Sequence, residues 1–423
     1  MPWKEIGIVE KQKQFVEQWL AQDWTMTELC ARHGVSRQAG YNVLARFQKA
    51  GWEGLEPGSR APLRHPNQTA SELERRIVKL RREHMRWGPR KLKEVLETRE
   101  PQRPWPAAST MGELLRREGL AIARKKRRRV EPYTAPFANA SEPNRVWCAD
   151  FKGWNRTQDG ERIDPLTMSD ACSRYLLRCQ AVEKTDTVRV QSIFEVAFRE
   201  YGMPLAIRTD NGAPFASRAL RGLSRLSLWL IKLGIVPERI QPGHPEQNGR
   251  HERMHRTLKQ ETMDPMAANR RAQQRRFDQF RCEYNQQRPH EALGMRTPDS
   301  CYCASPRPFP AQVPEPEYPA HMQVRKVHDR GQIAWGGNRH VFFSEVLIGE
   351  RVGLEPCDDD EGWYTIYFAH IPLARFDSQT LTVHRLPPEK DFYLDDAKEG
   401  EPPPSSALLP QKPEQNLSTM SPV

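Results

Sequence analysis

Long apolar runs are missing from this sequence. No stretch reaches the roughly 18 residues that would read as a membrane-spanning helix, and Met1-Pro2-Trp3-Lys4-Glu5 lacks the apolar stretch of a secretory signal. A membrane role is therefore not expected, and the reading is of a soluble, cytoplasmic chain. Cysteine is sparse and irregular. The eight thiols, at positions 30, 148, 172, 179, 282, 301, 303 and 357, form no CxxC pair and no regular disulfide framework. Reduced cysteines in a cytosolic protein are the consistent reading.

Acidic residues are also in deficit, but only locally. The formal net charge is +11 and the pI about 9.3. Residues 1 to 130 hold 28 Lys or Arg against 15 Asp or Glu, whereas the remainder holds 37 against 39. The basic excess lies wholly in the N-terminal third, the electrostatic footprint of a nucleic-acid binder. At 423 residues the chain exceeds what one hydrophobic core organises, so several domains are expected.

That basic third reads as two all-α modules, over residues 1–60 and 66–130. Thr25-Met26-Thr27-Glu28 spells a capping box, Gly34 permits a sharp turn, and Ser36 caps a second helix running to about Lys49. This helix-turn-helix pattern offers Arg37, Gln38, Tyr41 and Asn42 to a DNA groove and turns Val35, Val43, Leu44 and Phe47 toward its partner helices. After the Pro- and Gly-rich link Glu56 to Pro62, helices are expected near Ala70 to His84, Pro89 to Glu97 and Ser109 to Glu118, the last capped by Ser109 or Thr110. The run Arg124-Lys125-Lys126-Arg127-Arg128-Arg129 suits a phosphate backbone, contributing affinity without sequence information.

From about residue 140 to 305 the texture becomes α/β. Strand-like runs at Val146 to Trp154, Asp164 to Ala171 and Tyr175 to Val182 form a meander. Helix Thr187 to Tyr201, strand Leu205 to Thr209, helix Ser217 to Leu233 and strand Ile235 to Ile240 follow, predicting a layered domain with a mixed sheet. Asp150 ends the apolar run Val146 to Ala149, Asp210 ends Leu205 to Thr209, and Glu252 lies in the helix-like stretch Gly249 to Gln260. Carboxylates at two strand ends and on one helix can converge although distant in sequence. Hard oxygen ligands of this kind suit two Mg²⁺ ions, with Mn²⁺ able to substitute, and no small-molecule cofactor is called for.

Four strings carry a family resemblance: Trp147-Cys148-Ala149-Asp150; Thr209-Asp210-Asn211-Gly212-Ala213-Pro214-Phe215; Gly243-His244-Pro245-Glu246-Gln247-Asn248-Gly249-Arg250-His251-Glu252-Arg253; and Tyr284 to His290 before Ala292-Leu293. Together they resemble the DDE integrase and transposase superfamily, with its ribonuclease H-like core, and within it the IS481-like bacterial insertion-sequence transposases. The resemblance implies Asp150, Asp210 and Glu252 as catalytic metal ligands. It also implies binding of a mobile element's inverted-repeat ends, hydrolytic release of a 3′-OH, and attack of that 3′-OH on target DNA within a homo-oligomer.

Two glutamates compete for the third position. Glu246 lies at the spacing from Asp210 usual in the superfamily; Glu252 matches the family's local pattern, a Gly three residues before and a DNA-approaching Lys seven after, here Gly249 and Lys259. Seven residues are two helical turns, so Glu252 and Lys259 share a face, flanked by His255 and Arg256. Glu252 is preferred. The surplus residues are then expected in helix Ser217 to Leu233 or its adjoining turns. Lys152 and Asn211 are candidates for positioning phosphate, each with an equally good structural role. The loop Gln241 to Asn248 is expected to move to admit DNA.

A decoy sits in the same helix: His251-Glu252-Arg253-Met254-His255 fits the zinc-peptidase pattern. Arg250, Arg253 and Arg256 surround it, an environment that repels Zn²⁺, so the histidines are read as helix-surface residues, with His255 near substrate. A DNA-binding regulator without catalysis is the other alternative, opposed by the presence of all three acids.

A polar helix is expected over Ala267 to Asn285. Beyond the Pro-rich link Pro306 to Pro319, strand-like runs at Gln332 to Trp335, His340 to Phe343, Arg351 to Leu354, Trp363 to Phe368 and Ile371 to Phe376 suggest a small SH3-like β-barrel over residues 320–385, for DNA binding or assembly. The Pro-, Ser- and Glu-rich residues 387–423 read as a disordered tail.

Overall fold

A computed structural model describes residues 7–56, 68–122, 139–240, 249–357 and 360–386. The basic run at 124–129, the loop 241–248 with Glu246, and the tail from 387 lie outside them. The chain divides into two compact units, residues 1–70 and 71–423.

The first unit holds α1 (Ile8–Leu20), α2 (Met26–His33) and α3 (Arg37–Ala50). The capping box forms as spelled: the Thr25 N–H donates to Glu28 Oε2 at 2.9 Å while the Thr25 side chain caps the Glu28 N–H. Gly34 takes the left-handed conformation, φ +65°, that the turn between α2 and α3 demands. Phe15, Val16, Leu29, Cys30, Leu44 and Leu55 make the core, with Val43 and Phe47 packed at its margin. Val35 departs from expectation: it lies in the turn between Gly34 and the Ser36 cap, off the buried face of either helix, and is 41% exposed.

The second unit begins with α4 (Ser71–Glu83), α5 (Pro89–Arg99) and α6 (Ala108–Arg117) around Ile77, Leu80, Trp87, Leu92 and Met111. Pro89 opens α5 at its first position, where its missing N–H costs nothing. The expected Ser109 or Thr110 cap does not occur. The helix starts one turn-position earlier, at Ala108 behind Ala107, and no side chain caps it.

Strands β1 (Val146–Phe151), β2 (Asn155–Arg156), β3 (Arg162–Asp170) and β4 (Leu176–Val182) precede α7 (Thr187–Tyr201), β5 (Ala206–Thr209), α8 (Arg225–Lys232) and β6 (Val236–Arg239); α9 (Gly249–Thr262) and α10 (Arg270–Gln286) follow. β3 pairs antiparallel with both β1 and β4, whereas β1, β5 and β6 run parallel. The result is the mixed sheet of a ribonuclease H-like core. Its parallel half is covered on one face by α7 and α8 through Val190, Phe194, Ala197, Phe198, Leu226 and Leu230. Val188 and Val196, although apolar, fall off that 3.6-residue stripe and are 78% and 53% exposed. α8 is shorter than the expected Ser217 to Leu233. Arg221 and Gly222 both have positive φ, which breaks helical geometry, and Ser224 restarts it as the cap.

α10 lies along β4. The Asn285 side chain accepts from the Leu176 N–H at 2.8 Å and donates to the Leu176 carbonyl at 3.0 Å, and Gln274 does the same with Ala181 and Cys179. Two side-chain amides thus satisfy the outer backbone of β4, an edge that would otherwise recruit another strand.

At the C-terminus, β7 (Gln323–Lys326), β10 (Arg351–Pro356), β11 (Trp363–Phe368), β12 (Ile371–Asp377) and β13 (Thr382–Arg385) form one antiparallel sheet, and β8 (Gln332–Trp335) with β9 (Arg339–Phe342) form a second. Both wrap one core, which also takes Leu220, Leu223, Leu228 and Ile231 from the α8 region. Apolar residues on α8 therefore serve two layers at once.

Candidate active site

β1 and β5 are parallel neighbours, so their C-terminal ends lie at the same edge of the sheet. Asp150 is on the last turn-point of β1, and Asp210 directly follows Thr209, the end of β5. The register of a parallel pair makes this convergence unavoidable. Gly212 finishes the arrangement. Its N–H donates to Asp210 Oδ1 at 3.1 Å, and a Cβ at 212 would stand 3.1 Å from Oδ2, so any larger residue would press that carboxylate aside by a few tenths of an ångström. Asn211 has a structural task, its amide donating to the Ile240 carbonyl at 2.8 Å and tying the end of β5 to that of β6.

The third acid arrives on α9. Glu252 is in the first turn, where the helix dipole favours a carboxylate, and it is exposed together with Arg253, Arg256 and Lys259. The opposite face, His251, Met254, His255, Leu258 and Thr262, is buried and anchors the helix on Ile163, Cys179, Phe277 and Tyr284. Arg250 donates to the Ala171 carbonyl at 3.0 Å.

Asp150 registers this assembly electrostatically. Its carboxyl is pushed up to about 7, first by burial, then by the negative charge of Asp210, with Glu252 adding to the rise; the Phe151 backbone and the Lys152 ammonium pull the other way. Three carboxylates thus act on one another in a small volume. Such mutual repulsion is what a divalent cation relieves, and the oxygen-only donors suit Mg²⁺ over softer metals.

The histidines overturn the surface reading. His251 and His255 are 2% and 5% exposed and face the sheet. The Thr167 hydroxyl lies 2.7 Å from His251 Nε2, 2.6 Å from His255 Nε2 and 3.2 Å from the Asp150 carbonyl, while Ser169 Oγ is 2.9 Å from His251 Nδ1. Burial drives both rings' pKa far down, to about 3 for His251 and about 2 for His255, so both are neutral. His255 Nδ1 stands 3.8 Å from Asp150 Oδ2, and with a neutral ring that contact is not an ion pair. Asp150, His251 and His255 could by proximity cup a metal. The point shared by the two Nε2 atoms, however, is occupied by the Thr167 hydroxyl, and Glu252 faces away from it. The zinc-peptidase geometry is absent. The 3.6-residue spacing of His251, Met254, His255 and Leu258 was the sequence signal for this buried face; nothing in the sequence pointed to Thr167 or Ser169.

Of the other predicted contacts, Arg37, Gln38, Tyr41 and Asn42 are all exposed on α3, in the first unit. Lys152 is half-buried beside Asp150. The run Arg124 to Arg129 lies outside the described residues. All eight cysteines are unpaired, and no helix among the described residues is long and apolar enough to cross a membrane.

Comparison with known proteins gives matches along most of the chain. Integrase core domain models match residues 140–245 and 233–298, a helix-turn-helix domain matches 11–62, a homeodomain-like domain matches 39–115, and the C-terminal domain of the IS481 family transposases matches 322–384. An uncharacterised protein of insertion element IS476 from Xanthomonas euvesicatoria is 28% identical over 73% of this chain and 86% of its own length. Transposase InsD for insertion element IS2A/D/F/H/I/K from Escherichia coli is 27% identical over 44% of this chain and 62% of its own. Among solved structures, the HTLV-2 integrase catalytic core domain in complex with magnesium aligns at 18% identity and a TM-score of 0.30, over 38% of this chain and 97% of that one.

Proposed function

We propose that this chain, an IS481-like member of the DDE integrase and transposase superfamily, binds the terminal inverted repeats of a mobile element and performs 3′-end cleavage and strand transfer with Asp150, Asp210 and Glu252. The observation that carries this reading is geometric: Asp150 near the end of β1 and Asp210 just past the end of the parallel β5 meet at one sheet edge, where the Asp150 carboxyl, raised first by burial, is raised further by the charge of Asp210 and then by that of Glu252. That coupling supports a shared site for Mg²⁺. Asp150 and Asp210 would hold the first ion, and Asp150 and Glu252 the second. Two bound ions would supply charge neutralisation to the attacking and leaving oxygens of an in-line phosphodiester displacement.

The chain's own residues then divide the remaining work. Gly212 keeps the Asp210 carboxylate clear, and the apolar face of α9 fixes the height of Glu252 at the rim. Arg256 and Lys259, exposed on the face of Glu252, bear on the DNA backbone near the scissile phosphate, and Lys152 does so from β1. Arg37, Gln38, Tyr41 and Asn42 read the repeat, and Arg124 to Arg129 track phosphates. Assembly on paired ends is by homo-oligomerisation, in the nucleoid.

Strand transfer on DNA carrying the element's own ends tests this. The wild type joins ends in Mg²⁺ or Mn²⁺, whereas Asp150→Asn, Asp210→Asn and Glu252→Gln each lose joining by about a thousandfold or more while still shifting end DNA in a gel. Wild-type joining by Glu252→Gln, with Glu246→Gln inactive, would move the third ligand to Glu246.

A further inference from the structure

The string that mimics a zinc peptidase has left two buried, neutral histidines directly behind Asp150, and the mechanism above does not use them. Their hydrogen bonds form one connected unit. Thr167 Oγ1 has one proton and two lone pairs, and three neighbours: His251 Nε2 at 2.7 Å, His255 Nε2 at 2.6 Å and the Asp150 carbonyl at 3.2 Å. Ser169 Oγ closes the far side of His251 at 2.9 Å from Nδ1. Only the Nδ1 side of His255 is left, and it faces Asp150 Oδ2 across 3.8 Å.

Two proton arrangements satisfy Thr167. In one, the hydroxyl donates to the Asp150 carbonyl and receives N–H from both rings. His255 Nδ1 would then turn a bare lone pair toward a carboxylate oxygen, which is repulsive when Asp150 is ionised. In the other, the hydroxyl donates to His255 Nε2 along its shortest contact and receives N–H from His251 Nε2. His255 then carries its proton on Nδ1 and offers it to Asp150, while Ser169 donates to His251 Nδ1. Geometry favours the second arrangement, which places the Thr167 proton along the shortest contact, 2.6 Å, and turns Nδ1–H rather than a bare lone pair toward Asp150 Oδ2. A direct hydrogen bond needs a separation roughly 0.6–0.9 Å shorter than the one observed.

Resting on the reading of Asp150 as a metal ligand, we propose that His255 is the positioning residue of that carboxylate, its Nδ1–H orienting Oδ2 and its Nε2 locked by the Thr167–His251–Ser169 unit. Metal-bound carboxylates are held in this way by outer partners, whose loss typically weakens metal binding by about 10- to 100-fold. The histidine spacing that suggested zinc thus serves a different purpose. Four residues place both rings on one helical face, where His251 holds Thr167 and Thr167 holds His255.

Two substitutions separate positioning from packing. The Asn amide reaches the place of Nδ1, and the longer Gln amide reaches the place of Nε2. In the full-length chain, Mn²⁺ binding followed by electron paramagnetic resonance is expected to weaken about tenfold or more in His255→Gln and to stay within about threefold of wild type in His255→Asn. Equal Mn²⁺ affinities for the two variants, or better binding by His255→Gln, would overturn the proposal, because a merely structural ring is replaced best by the group that keeps Thr167. Where neither variant folds, ¹⁵N chemical shifts of histidine-labelled wild type decide: protonation at Nδ1 of His255 and at Nε2 of His251 is expected, and Nε2 protonation at both refutes it. Asp150→Asn is the control for the underlying reading. Undiminished Mn²⁺ binding by that variant would sink the metal site itself, an outcome distinct from any pattern at His255.

Discussion

Replacing Asp150 by Asn should stabilise the metal-free core, and increasingly so as the pH rises. The carboxyl is held up at about 7 against an ordinary value of 3.8, with its side chain only 17% exposed, so screening by solvent is small. A gap of about three units corresponds to ~4 kcal/mol at ~1.4 kcal/mol per unit. Because the folded-state value lies above the unfolded one, the folded chain retains a proton between pH 3.8 and about 7 that the unfolded chain has released. Stability contributed by this group is therefore intact below 3.8, falls through that window, and is fully lost above about 7. Asparagine carries no charge at any of these values, so the variant escapes the loss. The variant's advantage is then small at pH 4.5 and ~4 kcal/mol at pH 8.5, equivalent to a melting shift on the order of 10 °C for a domain of this size. Scanning calorimetry in EDTA at both pH values measures it as a difference of differences, which cancels the titrating groups that do not interact with Asp150. An equal shift at the two values, or none at pH 8.5, refutes the argument that the site is electrostatically strained. Saturating Mg²⁺ is expected to reverse the order, since only the wild type gains from the ion.

Two other outcomes follow from the geometry. Gly212→Ala places a methyl 3.1 Å from Asp210 Oδ2, and a cleavage assay should show about tenfold or greater loss with end binding unchanged, the carboxylate having been displaced by a few tenths of an ångström. Arg37→Ala on α3 should weaken binding of the matched terminal repeat by about 1–3 kcal/mol in a gel-shift series; an equal loss on unrelated DNA would reduce Arg37 to a phosphate contact.

Much of the fold was legible because periodicity and capping coincide. Helix α7 was expected over Thr187 to Tyr201 and spans those residues, with Asp186 as its cap and Gly202 beyond it. Strands β8 and β11 likewise keep their expected limits. Elements were misjudged where backbone conformation outweighs composition. The stretch Ser217 to Leu233 is apolar enough to read as one helix, but the left-handed residues Arg221 and Gly222 divide it, and Leu220 and Leu223 then pack against the C-terminal sheets. No local pattern announces that partner. β13 was missed for a related reason: its burial is slight, and it exists as a strand because β12 supplies the ladder. In the candidate site, the acids at strand ends could be found from the sequence, since two parallel strands bring their C-terminal ends to one edge. Thr167 and Ser169 could not. They lie on β3, whose outward and inward faces are both buried, and only the docking of α9 gives those hydroxyls an occupation.

Glu252, the proposed third ligand, illustrates how a side chain's position is set by its neighbours. Counting residues from Asp210 favours Glu246, but distance along the chain matters only when the intervening segment is regular. Here that segment is not: after Asp210 the backbone turns through Gly212, passes a short 3₁₀ turn at Leu220–Gly222 and restarts as α8 only at Arg225. Extra residues in such a loop change no angle at the sheet edge. What fixes Glu252 is the face behind it, where His251, Met254, His255 and Leu258 are all buried and hold α9 in rotation about its axis. Rotating the helix by one residue, about 100°, would bring Glu252 to the buried place of His251 and Met254 to the exposed place of Arg253, at a cost of several kcal/mol from the stranded charge alone. The buried face thus orients the helix, the helix presents the glutamate, and within that face His255 comes to 3.8 Å from the first aspartate while His251 holds Thr167 and Ser169.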